Sequence, residues 1–289
     1  MSLTVKAYAK LNLMLDILST LPNGYHDLFM VMQSVSLHDL ITLEQTASGD
    51  IAVTCSDPAI PQGEGNLAHK AAQVFFDGTG ISCPGLSIHI EKHIPHAAGL
   101  AGGSADAAAV LVGLNRLFDA GLCDRDLVRL GAAVGSDVPF CALGGLMLAQ
   151  YTGTVLSYLP ALPFGKIVIV KPDCAVSTGE AYRAFDAAER IRHFDKAGML
   201  ESVMQGDLEG VCRRIDNVFE QFIDVPERVV IKGVLRRHFA QSACMSGSGP
   251  SVFGIFENDA DAEAAAGELH KSFRHVYVCD CVDRGCEVV

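Results

Sequence analysis

A glycine-rich stretch, Pro95 to Asp106, has the residue types of an anion-binding turn. Gly99, Gly102 and Gly103 fall within five residues and lead into an alanine-rich segment predicted to become helical near Ser104. Glycine lets the backbone turn tightly and approach a ligand, and the N–H groups at a helix start attract negative charge. Because glycines also serve simple turns, the stretch alone leaves a phosphate site and a structural turn equally open.

The stretch is not a Walker P-loop, because Gly103 is followed by Ser104 rather than by lysine. We expect Ser104 to cap the helix, Asp106 to lie in its first turn and Gly121 to end it. Ala101 interrupts the glycines, and we expect its backbone to keep a conformation that alanine readily adopts, without a strongly positive φ.

Two polar residues share one face of the first predicted strand, which alternates over residues 5–17. Lys10 and Asn12 project together, either into solvent, which the strand alone favours, or onto the floor of a site. An Asn-Gly turn follows, and Tyr25 and His26 stand at its exit. Their rings could stack on a base and hydrogen-bond to it, although an aromatic residue after a hairpin also serves plain packing.

Further candidates lie on predicted turns. Asp137 sits between glycine and proline in Gly135 to Phe140, where a carboxylate bonds its own backbone or acts as a general base on a rigid loop. Lys92 and His93 precede the glycine-rich stretch and are either solvated or at a nucleotide site. A second glycine turn spans Ser246 to Pro250.

The composition is that of a globular protein with a substantial core, since 49% of the 289 residues are hydrophobic. A net charge of −12 argues against a nucleic-acid surface and against binding to anionic lipids. No apolar signal segment or bilayer-spanning stretch is present, which predicts a cytoplasmic protein. The ten cysteines occur without any Cys-x-x-Cys, so we expect them to be buried packing residues.

The hydrophobic patterns predict an α+β fold in two domains, 1–159 and 160–289, joined near residues 160–163. Strands are predicted at 5–17, 28–37, 40–44, 86–90, 146–151, 155–159, 166–170, 252–256 and 276–281. Helices are predicted from 66 and at 104–118, 124–130, 177–185, 197–205, 207–222, 227–240 and 260–273.

In this order the motifs resemble the GHMP kinase superfamily. They are the strand Ala9 to Leu13, the stretch Pro95 to Ser104, which is similar to the Pro-x-x-x-Gly-Leu-x-x-Gly-Ser loop, and the turn Ser246 to Gly249. The resemblance implies a ribosomal-protein-S5-domain-2-like N-terminal fold and a C-terminal ferredoxin-like α/β sandwich. It also implies a kinase that uses ATP and Mg²⁺.

Asn23 to Leu28 and Gly135 to Phe140 are similar to one branch of the superfamily. Its members phosphorylate the 2-hydroxyl of a cytidine-diphosphate methylerythritol in the non-mevalonate route to isoprenoids. Two departures, Ala101 for a common glycine and Gly135-Ser136 for alanine before the aspartate, remove no charged group.

The resemblance also implies roles for individual residues. Catalysis falls to Lys10 and Asp137, and the Ser104 hydroxyl is a candidate Mg²⁺ ligand. ATP is expected on Pro95, Gly99, Leu100, Ala101, Gly102, Gly103 and Ser104, with Lys92 and His93 bordering adenine. The small-molecule substrate is expected on Asn12, Tyr25, His26, Tyr182, Gly247 and Gly249.

Two other functions stay open at this point. The chain could be a GHMP kinase of the homoserine or mevalonate type, or a non-catalytic homologue that binds a nucleotide. The presence of both Lys10 and Asp137 argues against the second. We expect a monomer or a weak homodimer, with no nucleic-acid or membrane partner.

Overall fold

A computed structural model describes all 289 residues and confirms the α+β class. The elements of the first half are β1 Ser2–Thr20, β2 His26–Gln45, β3 Ile51–Cys55, α1 Leu67–Thr79, β4 Leu86–Glu91, α2 Gly102–Leu117, α3 Asp124–Val134, α4 Val138–Leu143, β5 Leu146–Tyr151 and β6 Val155–Tyr158. Those of the second half are β7 Ile167–Lys171, α5 Thr178–Asp186, α6 Lys196–Gln205, α7 Leu208–Arg214, β8 Asp216–Asn217, α8 Arg228–Arg237, β9 Ser242–Met245, β10 Val252–Ile255, α9 Asp259–Leu269, β11 His275–Cys279 and β12 Cys286–Val288.

The larger sheet is built on the long antiparallel pair of β1 and β2. Its strand order is β12-β1-β2-β4-β3, with β5 also paired to β2, β6 to β5 and β8 to β1. The β1–β2 register shifts at three places, and such irregularities bend a pair of strands. Helices α1 and α2 pack on this sheet, and their buried alanines let the helices approach closely.

The smaller sheet, β11-β7-β10-β9, is antiparallel throughout. Helices α8 and α9 cover one face of it and form a separate apolar cluster around Phe256 and Leu235. None of the helices in the structure is both long enough and apolar enough to cross a membrane.

The second half of the chain returns twice to β1. Strand β12 pairs with β1 at Val5↔Val288, and β8 pairs with it at Met14↔Asp216. Loop contacts add to these pairings, since the Ser251 N–H donates to the Ala98 carbonyl at 3.3 Å. Strand β1 is therefore paired along both edges, with β2 on one edge and with β12 and β8 on the other.

Several expectations for the elements were wrong. The two strands predicted at 28–37 and 40–44 are one strand, because β2 continues through a bulge. The helix predicted at 207–222 ends at Arg214, and residues 216–217 form β8. Strand β3, helix α4 and the closing strand β12 were not predicted. The predicted helix at 104–118 begins earlier, at Gly102, so Ser104 is not its cap, and Asp106 lies beyond its first turn. It ends at Leu117, ahead of Gly121.

Candidate active site

A cleft of about 790 Å³ lies where the larger sheet meets the loops of the second half. Its floor is β1, and one wall is the glycine loop, Pro95 to Ser104, which leads into α2. The other walls come from the start of α1, from α5 and from the second glycine turn, Ser246 to Gly249. All of the predicted site residues line this one cavity except two, His93 and Leu100, and the Leu100 side chain is buried in the core.

The glycine loop presents the N-terminus of α2 to the cleft. The first helical bond is donated by the Ala105 N–H to the Ala101 carbonyl at 2.8 Å, so the N–H groups of Gly102 to Ser104 have no partner within the helix. Unpaired N–H groups and the helix dipole together favour an anion such as phosphate. The loop therefore has the geometry of an anion site.

Ala101 caps α2 in a left-handed conformation, with φ 58° and ψ 29°. The expectation of an ordinary alanine backbone there was wrong. Ala97 also has positive φ (49°), as does Gly99 (73°), so every second residue from Ala97 to Ala101 has positive φ. This conformation costs alanine roughly 1–2 kcal/mol, and the packing around the loop must hold it in place.

The two glycine segments are in direct backbone contact. The Ser246 hydroxyl donates to the Gly99 carbonyl at 3.0 Å. A Cβ on Gly99 would lie only 2.2 Å from the Ser246 carbonyl oxygen, so no larger residue fits without separating the segments. A glycine is needed at this position both for its φ and for this approach.

Lys10 and Asn12 are buried, 4% and 0% exposed, so their strand face is the floor of the cleft and not the solvated surface that the strand alone favoured. The Lys10 Nζ donates to the Asn12 Oδ1 at 2.7 Å and lies 3.9 Å from the Asp137 Oδ2. The Gly247 N–H donates to the same Asn12 oxygen at 3.0 Å. One amide oxygen thus fixes both the ammonium and the second glycine turn.

Asp137 stands at the start of α4 with its side chain about one-third exposed to the cleft. The residue lies in a turn directly before the helix, as predicted, with φ −85° and ψ −12°. Its carboxylate caps no backbone N–H of the helix. The oxygens are therefore free to meet a ligand beside Lys10.

Lys92 belongs to a buried ion cluster beneath the glycine loop. Its Nζ donates to Asp39 and, at 2.9 Å, to the Asp106 Oδ2, while the second oxygen of Asp106 is buried without a partner. Burial opposes the charge on Lys92, but attraction from Asp106 and Asp39 outweighs it and raises the pKa of the ammonium. Burial and then repulsion from Asp39 raise the pKa of the Asp106 carboxyl well above its ordinary range.

This cluster braces the entry to the loop, because Asp39 also accepts hydrogen bonds from the backbone N–H groups of His93 and Ile94. Lys92 still lines the cleft, although its ammonium is taken up by carboxylates. His93 lies outside the cleft and contacts Glu91 and the His38 carbonyl instead. We therefore do not retain His93 at a nucleotide site.

At the far end of the cleft, His26 is packed among aromatic rings. Its imidazole stacks on Tyr182 with centroids 4.6 Å apart and planes 27° apart, and its Nε2 lies 2.7 Å from the Asp186 Oδ1. Tyr25 lines the same end with 60% of its surface exposed. Burial, and then the charge of Asp137, raise the pKa of the Tyr182 hydroxyl, which stays neutral.

Residues that motif analysis missed also shape the cleft. Asn66 caps α1 and lines the cleft. Asn217 donates from its Nδ2 to the Met245 and Gly247 carbonyls at 2.8 Å, which holds the second glycine turn. The helix-start pattern signalled Asn66, but no local pattern signals Asn217, because its partners lie about thirty residues further along the chain.

The donor groups of the cleft fit a metal ion that is held mainly by phosphates. No group of three or more histidine, cysteine or acidic residues is arranged so that it could hold a metal ion by itself. The Ser104 hydroxyl lines the cleft and has no hydrogen-bond partner in the protein, and the Asp137 carboxylate lies on the same cavity. Mg²⁺ bound to nucleotides needs only one or two such protein ligands.

The arrangement as a whole fits phosphoryl transfer. A helix N-terminus can hold the phosphates of a donor, and a buried ammonium beside a carboxylate can meet the transferring group and an attacking hydroxyl. The aromatic end leaves room for a nucleobase on the molecule that receives the phosphoryl group.

Comparisons with known proteins agree with this chemistry. The profile described as GHMP kinases N terminal domain matches residues 66–145, and the profile described as GHMP kinases C terminal matches residues 199–275. The chain is 43% identical to the 4-diphosphocytidyl-2-C-methyl-D-erythritol kinase of Lachnoclostridium phytofermentans over 91% of each chain. It is 41% identical to that of Caldicellulosiruptor saccharolyticus over 92% of each chain.

Solved structures give the same result. A crystal structure of 4-(cytidine 5′-diphospho)-2C-methyl-D-erythritol kinase matches with a TM-score of 0.80 and 32% identity, covering 96% of this chain and 98% of that one. A homoserine kinase from Cytophaga hutchinsonii matches with a TM-score of 0.79 but 19% identity, so it shares the fold alone, over 100% of this chain and 97% of its own. The predicted GHMP kinase architecture is confirmed, and the chain belongs to the 4-diphosphocytidyl-2-C-methyl-D-erythritol kinase family.

Proposed function

We propose that the chain transfers the terminal phosphoryl group of ATP to the 2-hydroxyl of 4-diphosphocytidyl-2-C-methyl-D-erythritol, in the non-mevalonate route to isoprenoid precursors. The proposal is carried by the single cleft that joins the N-terminus of α2 to the Lys10–Asp137 pair and to the aromatic end around His26. The helix N-terminus suits the donor phosphates, the Lys10–Asp137 pair suits the acceptor hydroxyl, and the aromatic end suits the cytosine ring.

The donor phosphates lie on the N–H groups of Gly102 to Ser104, as expected from the helix N-terminus. Lys10 then neutralises charge that develops on the transferring phosphoryl group, and its position is set by the 2.7 Å bond to Asn12. Because both groups are buried, little solvent competes for this charge.

Asp137 accepts or orients the proton of the attacking 2-hydroxyl. As the oxygen–phosphorus bond to the acceptor forms, the bond to the leaving ADP breaks and the hydroxyl proton passes to the carboxylate. The transition state of such transfers is loose, so orientation of the hydroxyl contributes more than strong base catalysis. Ser104 and Asp137 are the residues that would hold Mg²⁺, and the ion would neutralise negative charge on the donor phosphates.

The acceptor's cytosine lies at the aromatic end, with Tyr25 stacked on it and His26 hydrogen-bonded to its edge. Tyr182 lies parallel to the imidazole, so a base in the imidazole plane extends the same stack and completes an aromatic sandwich with Tyr25. Gly247 and Gly249 approach the diphosphate from the opposite wall.

We also propose that residues 1–159 and 160–289 are the two functional parts, one on each side of this cleft.

The proposal is tested by incubating the purified chain with ATP, Mg²⁺ and the cytidine-diphosphate acceptor and recording ³¹P NMR spectra. We expect ADP and one new phosphomonoester resonance in equal amounts, and loss of both in Asp137→Asn. ADP without the new resonance would mean that water is the acceptor, and the proposed function would be wrong.

A further inference from the structure

Helix α5 holds the His26 imidazole from one face. Tyr182, Phe185 and Asp186 follow the i, i+3, i+4 spacing that places side chains together on a helix. Tyr182 stacks on the imidazole, Phe185 meets it edge-on at 5.8 Å, and Asp186 bonds to it at 2.7 Å. The stack sets the plane of the ring, and the hydrogen bond sets its rotation within that plane.

The same hydrogen bond decides which ring nitrogen carries a proton. A carboxylate only accepts hydrogen bonds, so the Nε2 of His26 must be the donor to Asp186. In a neutral imidazole the other nitrogen, Nδ1, is then an acceptor. Nδ1 has no hydrogen-bond partner in the protein and is not enclosed, while His26 lines the cleft.

A hydrogen-bond acceptor at the position of Nδ1 discriminates between cytosine and uracil. Cytosine presents an amino donor at C4, whereas uracil presents a carbonyl acceptor at the same place. The amino group of cytosine can bond to Nδ1, but the uracil carbonyl would face it acceptor to acceptor. Sites that leave a buried polar group unpaired in this way reject the wrong ligand strongly.

We propose that Asp186 is a positioning residue for base specificity, which keeps Nδ1 of His26 an acceptor and so selects cytosine over uracil. The proposal rests on the proposed function, which brings a cytidine diphosphate to this end of the cleft. Asp186 does not touch the base; it acts through the imidazole.

The kinetic test compares the cytidine-diphosphate acceptor with its uridine counterpart in wild type and in Asp186→Asn. An asparagine amide can donate to Nε2, which permits the opposite tautomer with a protonated Nδ1. We expect the ratio of kcat/KM for cytidine over uridine to fall roughly tenfold, since a hydrogen bond to a charged group biases the tautomer by about that factor or more. The change should lie in KM, because the base is remote from the transferring phosphoryl group.

Two variants separate this role from general effects of charge or folding. Asp186→Glu keeps a carboxylate on a half-exposed position and should retain cytidine preference. Glu189→Gln removes a neighbouring exposed carboxylate that makes no hydrogen bond or ion pair, and it should leave both substrates unaffected. A merely structural role for Asp186 would lower turnover of both substrates equally and leave their ratio unchanged.

The tautomer itself is read by ¹⁵N NMR of histidine-labelled protein, with the His26 signals assigned by their loss in His26→Gln. We expect wild type at pH 7.5 to show a protonated Nε2 and an unprotonated Nδ1. A protonated Nδ1 in wild type, or an unchanged substrate ratio in folded Asp186→Asn, would overturn the proposal. If wild type fails to phosphorylate the cytidine acceptor at all, the proposed function fails, and the tautomer measurement still stands on its own.

Discussion

Replacement of Gly99 by alanine tests whether the two glycine segments must touch for the kinase to work. Gly99 has φ 73°, and a Cβ there would lie 2.2 Å from the Ser246 carbonyl oxygen and 3.0 Å from that of Gly249. Real Cβ contacts essentially never fall below 3.0 Å, so the segments must separate by roughly 0.8 Å. The overlap is with backbone, which cannot rotate away as a side chain can.

Two costs add in this variant. The left-handed conformation costs alanine roughly 1–2 kcal/mol, and overpacking in a tight site costs typically about 1–3 kcal/mol. The displacement also moves the glycine loop relative to Lys10, whose backbone N–H donates to the Leu100 carbonyl at 3.2 Å. Since a misplacement of about 1 Å can lower a rate roughly 100-fold, we expect kcat to fall by about that factor.

Gly206→Ala is the matched control. Gly206 has φ 69°, and an added Cβ would meet no heavy atom within 4 Å, so this variant carries backbone strain without any overlap. We expect it to lose about 1–2 kcal/mol and a few degrees in Tm with normal kcat. Urea unfolding and coupled ADP release measure both variants. Equal stability losses, with kcat of Gly99→Ala within threefold of wild type, would refute the contact between the segments.

Further predictions concern three other residues of the site. Ala101→Gly should raise the free energy of unfolding by up to about 1 kcal/mol, because glycine adopts the left-handed cap without strain; a lower Tm would contradict this. Asp137→Asn should lower kcat by about 10²–10⁴-fold with little change in KM for ATP, measured by coupled ADP release; near-normal kcat would make Asp137 a structural residue. Burial and repulsion from Asp39 raise the pKa of Asp106 above 3.8, so the folded protein keeps a proton there that the unfolded chain releases. Wild type should therefore lose stability relative to Asp106→Asn as pH rises from about 4, and parallel pH profiles in urea unfolding would contradict the raised pKa.

Local patterns in the sequence were enough to locate most parts of the cleft. Period-two alternation placed Lys10 and Asn12 on one strand face, and the polar residue before an apolar helix placed the start of α1 at Asn66. These features depend on neighbours in the chain, so a single sequence carries them. Burial of that strand face could not be predicted, because the covering loop around Ser246 comes from the other half of the chain.

The features that the sequence did not predict also depend on contacts between residues far apart in the chain. The apolar pattern of residues 207–222 continues past Arg214, but the chain leaves the helix because Asn217 bonds to carbonyls of the second glycine turn. The left-handed backbone of Ala101 is imposed by the packing of the loop, which overrides the preference of the residue itself. The pairing of Asp186 with His26 joins residues 160 positions apart and has no local signature.

The central claim is that this cleft selects the cytidine-diphosphate acceptor. It is tested most directly by measuring kcat/KM for coupled ADP release with 4-diphosphocytidyl-2-C-methyl-D-erythritol, homoserine and mevalonate, one enzyme preparation serving all three. We predict turnover of the cytidine acceptor alone, because only that molecule carries a base to meet Tyr25 and His26. Comparable turnover of homoserine or mevalonate, or none with the cytidine acceptor, would contradict the account.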